Sequence, residues 1–249
     1  MLNNLYLVVF DAIFLIIAIL IVYMYKRENE TWEITGVKDV YRGTILGILF
    51  SSIMSVGGIN IKLTFGMLLL IPLTLLMTSV NPKWGCYSYV IPFTYFLGEV
   101  LETFGYNITW FNLPYNQFIV LIGFLHLIEG ILVMRYGSEN TKEVPIFNGK
   151  NITKGYMMKK FWPIPLIIFS TDAMPIYAIL GYMDIGYDPQ NKTGQMGKII
   201  LVYGLFIILL GILTQKQLMP LNLALLIMPI GHELMFLVNY IPFRKKVKL

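Results

Sequence analysis

Apolar runs close to the length of a bilayer crossing recur along almost the whole chain, with short connections between them. A membrane-spanning helix needs about 20 mainly apolar residues. Eight segments meet or approach that length: 5–25, 44–59, 63–80, 86–104, 116–134, 161–183, 199–214 and 218–240. The composition agrees, with 57% hydrophobic and 13% charged residues, against about 45–50% and about 25% in ordinary soluble domains. No connection is long enough for a soluble domain, and no linker or internal repeat divides the chain. The expected fold is therefore all-α: a polytopic transmembrane helix bundle of seven or eight segments, forming a single integral membrane domain over 1–249.

Charge orders the segments across the membrane, because cytoplasmic loops carry an excess of Lys and Arg. Lys26, Arg27, Lys38 and Arg42 follow the first segment, and Arg135, Lys142, Lys150, Lys154, Lys159 and Lys160 follow the fifth. Both loops are expected in the cytoplasm. The N-terminus, without Lys or Arg ahead of the first segment, is expected outside. The basic tail, with Arg244, Lys245, Lys246 and Lys248, is also expected in the cytoplasm. Three crossings after the fifth-segment loop would instead put the tail outside, so one segment should fail to cross. The segment 161–183 is the candidate, since it holds Pro163, Pro165, Pro175 and Asp172. Proline removes a backbone donor and kinks a helix, and broken backbone at membrane depth is tolerated where protein covers it. A re-entrant or strongly broken segment is expected there. The net charge of +5 reads as a topology and lipid-headgroup signal, not as a nucleic-acid surface.

Polar residues inside apolar runs mark the candidate site. Asp11, Glu99, Glu102, Glu129, Asp172 and Glu233 fall within the expected spans, as do both histidines, His126 and His232. A carboxylate at the bilayer centre costs about 2.5–3.5 kcal/mol on insertion scales. No Lys or Arg lies centrally in any span, so these groups should be protonated, paired with histidine, hydrated or bound to a cation. Glu99 and Glu102 share a helix face at a spacing of three, and so do His126 and Glu129. Matched depths suggest a midplane cluster of His126, Glu129, His232 and Glu233, with Asp11, Glu99 and Glu102 nearer the outer surface. A divalent metal is one occupant of such a cluster; hydrogen-bonding glue between helices is the plainer reading. His232-Glu233 opens like the HExxH of zinc proteases, but Phe236 stands where the second His belongs. The single cysteine, Cys86, excludes a disulfide framework or a cysteine-based zinc site within the chain. No catalytic residue is assigned, and the balance leans away from an enzyme.

Three stretches taken together, FLHLIEGIL (124–132), GYMMKKFWPIPLI (155–167) and PIGHELMF (229–236), resemble the membrane part of MinJ-like proteins. These are polytopic proteins of Gram-positive bacteria that carry a PDZ domain after the last span. The resemblance implies a bacterial inner-membrane scaffold of the division site, here without the PDZ domain. Its partners would be lipid, membrane or cytoplasmic division proteins, and further copies of itself. The alternative is a proton- or metal-coupled transporter or enzyme using the His/Glu cluster.

Overall fold

The computed structural model describes residues 11–29, 34–57, 61, 64–147, 151–166 and 176–247. Among them are seven α-helices: α1 (Ala12–Asn29), α2 (Thr35–Val56), α3 (Leu70–Val80), α4 (Tyr87–Thr103), α5 (Tyr115–Tyr136), α6 (Pro189–Gln215) and α7 (Leu221–Val247). Three are long and apolar enough to cross a membrane: Tyr115–Tyr136, Pro189–Gln215 and Leu221–Tyr240. A three-stranded antiparallel sheet lies between α5 and α6 in sequence, with β1 (Lys142–Phe147), β2 (Ile152–Leu166) and β3 (Ile176–Gly186) in that order.

This sheet corrects the all-α expectation. Residues 161–166 and 176–183 are the arms of a β-hairpin, not a broken helix, with Leu166 opposite Ile176 and Phe161 opposite Gly181; Asp172 and Pro175 lie outside the described residues. Burial alternates over 158–162 and is continuous over 162–166, as in a strand covered on both faces. Met158, Lys160, Trp162, Ile164 and Leu166 are all buried on one face of β2, and Ala178 and Tyr182 continue that face on β3. Pro163 and Pro165 take the opposite parity. Phe161, of that parity, donates its N–H at 3.0 Å to the Tyr25 hydroxyl instead of to β3. The prolines therefore occupy positions whose missing N–H would point off the hairpin, where proline is tolerated in a sheet.

The chain packs as two compact units, 1–60 with 127–201 and 239–249, and 61–126 with 202–238. In the first, α2 lies against β2. Its buried stripe of Asp39, Gly43, Gly47, Phe50 and Met54 follows helical spacing. Gly43 and Gly47 meet the backbone of β2: a Cβ at Gly47 would sit 2.7 Å from the Pro165 carbonyl oxygen. Asp39 is buried beneath this contact and accepts the Tyr25 hydroxyl at 2.8 Å. Lys160 reaches it at 3.5 Å. Arg42 forks onto Glu139 at 2.7 and 3.0 Å and stacks 3.8 Å above the Tyr136 ring. The first helical turns of α2, with Lys38, Asp39 and Arg42, are thus part of a helix starting at Thr35, earlier than the apolar run 44–59 suggests.

The second unit is helical. Its core is Val90 and Ile91 of α4, Ile119 and Ile122 of α5, Ile207 of α6, and Ala224, Leu225 and Met228 of α7. A short 3-10 turn, Pro82–Gly85, leads from α3 into α4. At Gly123 on α5 a Cβ would meet the Ile208 backbone nitrogen of α6 at 2.8 Å, so the missing side chain lets these two helices touch closely.

Candidate metal centre

Three side chains from three helices of the second unit converge. Cys86 is the N-cap of α4, with extended backbone, and its Sγ accepts the Ser88 N–H at 3.5 Å. That places the sulfur at the positive end of a helix, a position that suits an anionic ligand. His126 projects from α5 and His232 from α7, exposed by only 3% and 4%. One ligand atom from each of Cys86, His126 and His232 lies within 4.8 Å of the other two.

Hydrogen bonds fix which nitrogens are free. His126 Nδ1 is 2.8 Å from the Ile122 carbonyl, which can only accept, so the proton sits on Nδ1. Nε2 then presents its lone pair toward Cys86 Sγ at 3.6 Å. For His232, Nδ1 is 3.0 Å from the Tyr89 hydroxyl, and that hydroxyl donates at 2.9 Å to Glu233 Oε1. With its proton committed to the carboxylate, the Tyr89 oxygen accepts from Nδ1, and Nε2 of His232 is again the unprotonated nitrogen. Metal-binding histidines are oriented in this way, one nitrogen on a carbonyl or carboxylate partner and the other on the ion.

The spacing of the Cys86 and His126 ligand atoms suits zinc. Zn–S of about 2.3 Å and Zn–N of about 2.0–2.1 Å put tetrahedral sulfur and nitrogen ligands about 3.5 Å apart, and the Cys86–His126 separation is 3.6 Å. Separations near the 4.8 Å bound close with a shift of roughly 1 Å. A thiolate and two imidazoles form a borderline-soft donor set that fits zinc or copper and not magnesium or calcium. The surround is aromatic. The Tyr203 ring lies 4.9 Å from His126 and 5.4 Å from His232, and Phe236 lies 5.0 Å from His232. Tyr203 is itself anchored, its hydroxyl donating to the Met228 carbonyl at 2.9 Å.

Of the residues singled out in the sequence, His126 and His232 are brought together, their rings 5.6 Å apart. Glu233 joins them through Tyr89 and is not without a cation: Lys83 Nζ lies 2.7 Å from its Oε1, which corrects the expectation of carboxylates lacking a basic partner. Glu129, one turn along α5, is half-buried and belongs to the first unit, within electrostatic reach of Tyr182. Glu99 and Glu102 are exposed on α4. Asp11 belongs to the first unit and caps α1, accepting the N–H groups of Ile13 and Phe14 at 2.8 and 3.3 Å. Phe236, at the position where HExxH would carry its second histidine, packs edge-on against His232, and the other imidazole beside His232 is His126 of α5. The expectation that one cysteine excludes a cysteine-containing zinc site is corrected, because two histidines from other helices complete the group around Cys86; Cys86 and Tyr89 carry no local signal of this role beyond the turn PKWG ahead of a helix. No protein-family model, curated protein or solved structure matches this chain, and the site is therefore read from its own chemistry.

Proposed function

We propose that the chain is a multi-pass membrane protein that holds a zinc ion, or a similar borderline-soft ion, between Cys86 Sγ, His126 Nε2 and His232 Nε2. The observation that carries the reading is the convergence of these three ligand atoms within 4.8 Å, with the second nitrogen of each imidazole occupied by a fixed partner. Three protein ligands leave a fourth position of a tetrahedral ion open, the arrangement of catalytic zinc sites rather than structural ones. An ion held there would polarise a water or carbonyl bound in that position, and metal-assisted hydrolysis is the reaction class it supports.

The chain's own contribution is positional. Ile122 and Tyr89 hold the imidazoles, the α4 terminus holds the sulfur, and Tyr203 and Phe236 line the site with rings. Three apolar helices of crossing length support the membrane setting. The scaffold role implied by the resemblance to MinJ-like proteins would need no ligand at this cluster, which is then helix glue.

Metal analysis by mass spectrometry, with zinc titration of the detergent-purified protein, separates the two. About one ion per chain is expected, lost in Cys86→Ser, His126→Gln and His232→Gln variants that keep their helical circular dichroism. Cobalt substitution should give a sulfur-to-metal charge-transfer band that Cys86→Ser abolishes. A wild type that takes up no zinc in the titration removes the metal reading and leaves the scaffold.

A further inference from the structure

Resting on that metal reading, we infer that the Lys83–Glu233 ion pair sets the affinity of the site, with Glu233 strengthening and Lys83 weakening its hold on a cation. The connection is a short hydrogen-bonded chain. His232 Nδ1 meets the Tyr89 hydroxyl at 3.0 Å, and that hydroxyl meets Glu233 Oε1 at 2.9 Å. Lys83 Nζ lies 2.7 Å from Oε1 and 2.9 Å from Oε2, covering both carboxylate oxygens. A carboxylate behind a ligating imidazole raises its basicity as a donor and adds negative charge near the ion. Here the effect passes through one hydroxyl, and the ammonium group offsets part of it.

The local sequence ties both partners to the ligands. Lys83 sits three residues before Cys86 in the Pro82–Gly85 turn, with its backbone N–H bound to the Asn81 side chain at 3.2 Å. Glu233 immediately follows His232. Neither group is deeply buried: the Lys83 and Glu233 side chains are 34% and 47% exposed. Lys83 acts as a removable counter-ion beside the site. Glu233 and Lys83 are positioning residues in this scheme and do not themselves ligate.

A purely structural clamp between the turn and α7 makes a different forecast, and the two are separable by sign. Lys83→Met keeps the alkyl stem and frees the carboxylate. Glu233→Gln keeps an oxygen to accept the Tyr89 proton and removes only the charge. Zinc alone would be titrated by competition with a chelating dye, at low salt, against the full-length protein in detergent. Outer-shell partners of a metal site typically change affinity 10–100-fold when mutated, and the intervening Tyr89 hydroxyl argues for the lower end. Lys83→Met is expected to lower the zinc Kd about tenfold and Glu233→Gln to raise it about tenfold. The double variant should follow Glu233→Gln, because Lys83 acts only through the carboxylate. Lys83→Arg should restore wild-type affinity, and Lys83→Gln repeats the first test should the Met variant fold poorly. Shifts of both single variants in the same direction, or no shift in either with zinc still bound, overturn the inference while leaving the metal reading standing. A wild type without any binding curve removes both.

Discussion

Gly47 shows how much a single missing side chain decides. A Cβ there would sit 2.7 Å from the Pro165 carbonyl oxygen, and the Pro165 Cδ is 2.9 Å away. Helix propensity alone favours Gly→Ala by about 0.8–1 kcal/mol. Forcing an atom against a backbone carbonyl costs typically about 1–3 kcal/mol, and backbone yields less readily than a flexible side chain. The clash should win: Gly47→Ala is expected to lower the melting temperature in detergent, and an unchanged or raised value would mean that α2 and β2 are not in this contact. Lys160 gives a second residue-scale forecast, through pH. Burial depresses its ammonium pKa, and the Asp39 carboxylate 3.5 Å away only partly offsets that. The unfolded chain, with lysine at about 10.4, then binds more protons than the folded one in the window between the two values. Stability must rise with pH across it. The difference in stability between wild type and Lys160→Met should therefore move in favour of wild type as pH is raised from 7 toward 10. A difference that stays flat across that range would show that Lys160 is not buried as described.

At the scale of elements, the hairpin arms of β2 and β3 turn on parity. Trp162 and Ile164 direct their N–H groups toward β3, opposite Leu180 and Ala178, whereas Phe161, Pro163 and Pro165 face away from it. Ile164→Pro should therefore break a ladder hydrogen bond and lose the fold, while Ile164→Val should cost only about 0.5–1.5 kcal/mol. Comparable melting curves for the two would mean that the register is wrong. Parity also explains what the sequence discloses and what it hides. Prolines two apart inside an apolar run read equally well as a broken helix or as one edge of a strand, and only the partner strand decides. The apolar runs 116–134, 199–214 and 218–240 do mark α5, α6 and α7, because burial or lipid contact all round leaves an unmistakable signal. The start of α6 at Pro189 is hidden by its polar first turns, although Asp188, accepting the Asn191 N–H at 3.2 Å, followed by proline is a recognisable helix start. His126 and His232 stand out as polar residues in apolar runs. Cys86 does not, since one cysteine at a helix boundary looks inert until distant helices bring two imidazoles beside it. Lys83 and Lys160 look like loop charges for the same reason: their partners are 150 and 121 positions away in sequence.

For the whole molecule, the hairpin removes 161–183 from the expected helical crossings. The sheet residues Lys142, Lys154 and Lys159 and the tail residues Lys245 and Lys246 are separated by two helices of crossing length, α6 and α7. Two crossings would return the chain to the side it left and put the basic sheet and the basic tail on one face. The tendency of basic segments to stay in the cytoplasm would then apply to both at once, without the conflict created by counting 161–183 as a third crossing. A chain with α6 or α7 lying in the plane of the bilayer would put them on opposite sides at the cost of placing one basic cluster outside. In a Cys86→Ser background, single cysteines at Lys154 and Lys246 should both resist a membrane-impermeant thiol reagent on intact cells and both react after permeabilisation. Labelling of one and not the other on intact cells would show an odd number of crossings between sheet and tail. Labelling of both would keep the parity and reverse the orientation, placing the basic face outside against the charge rule.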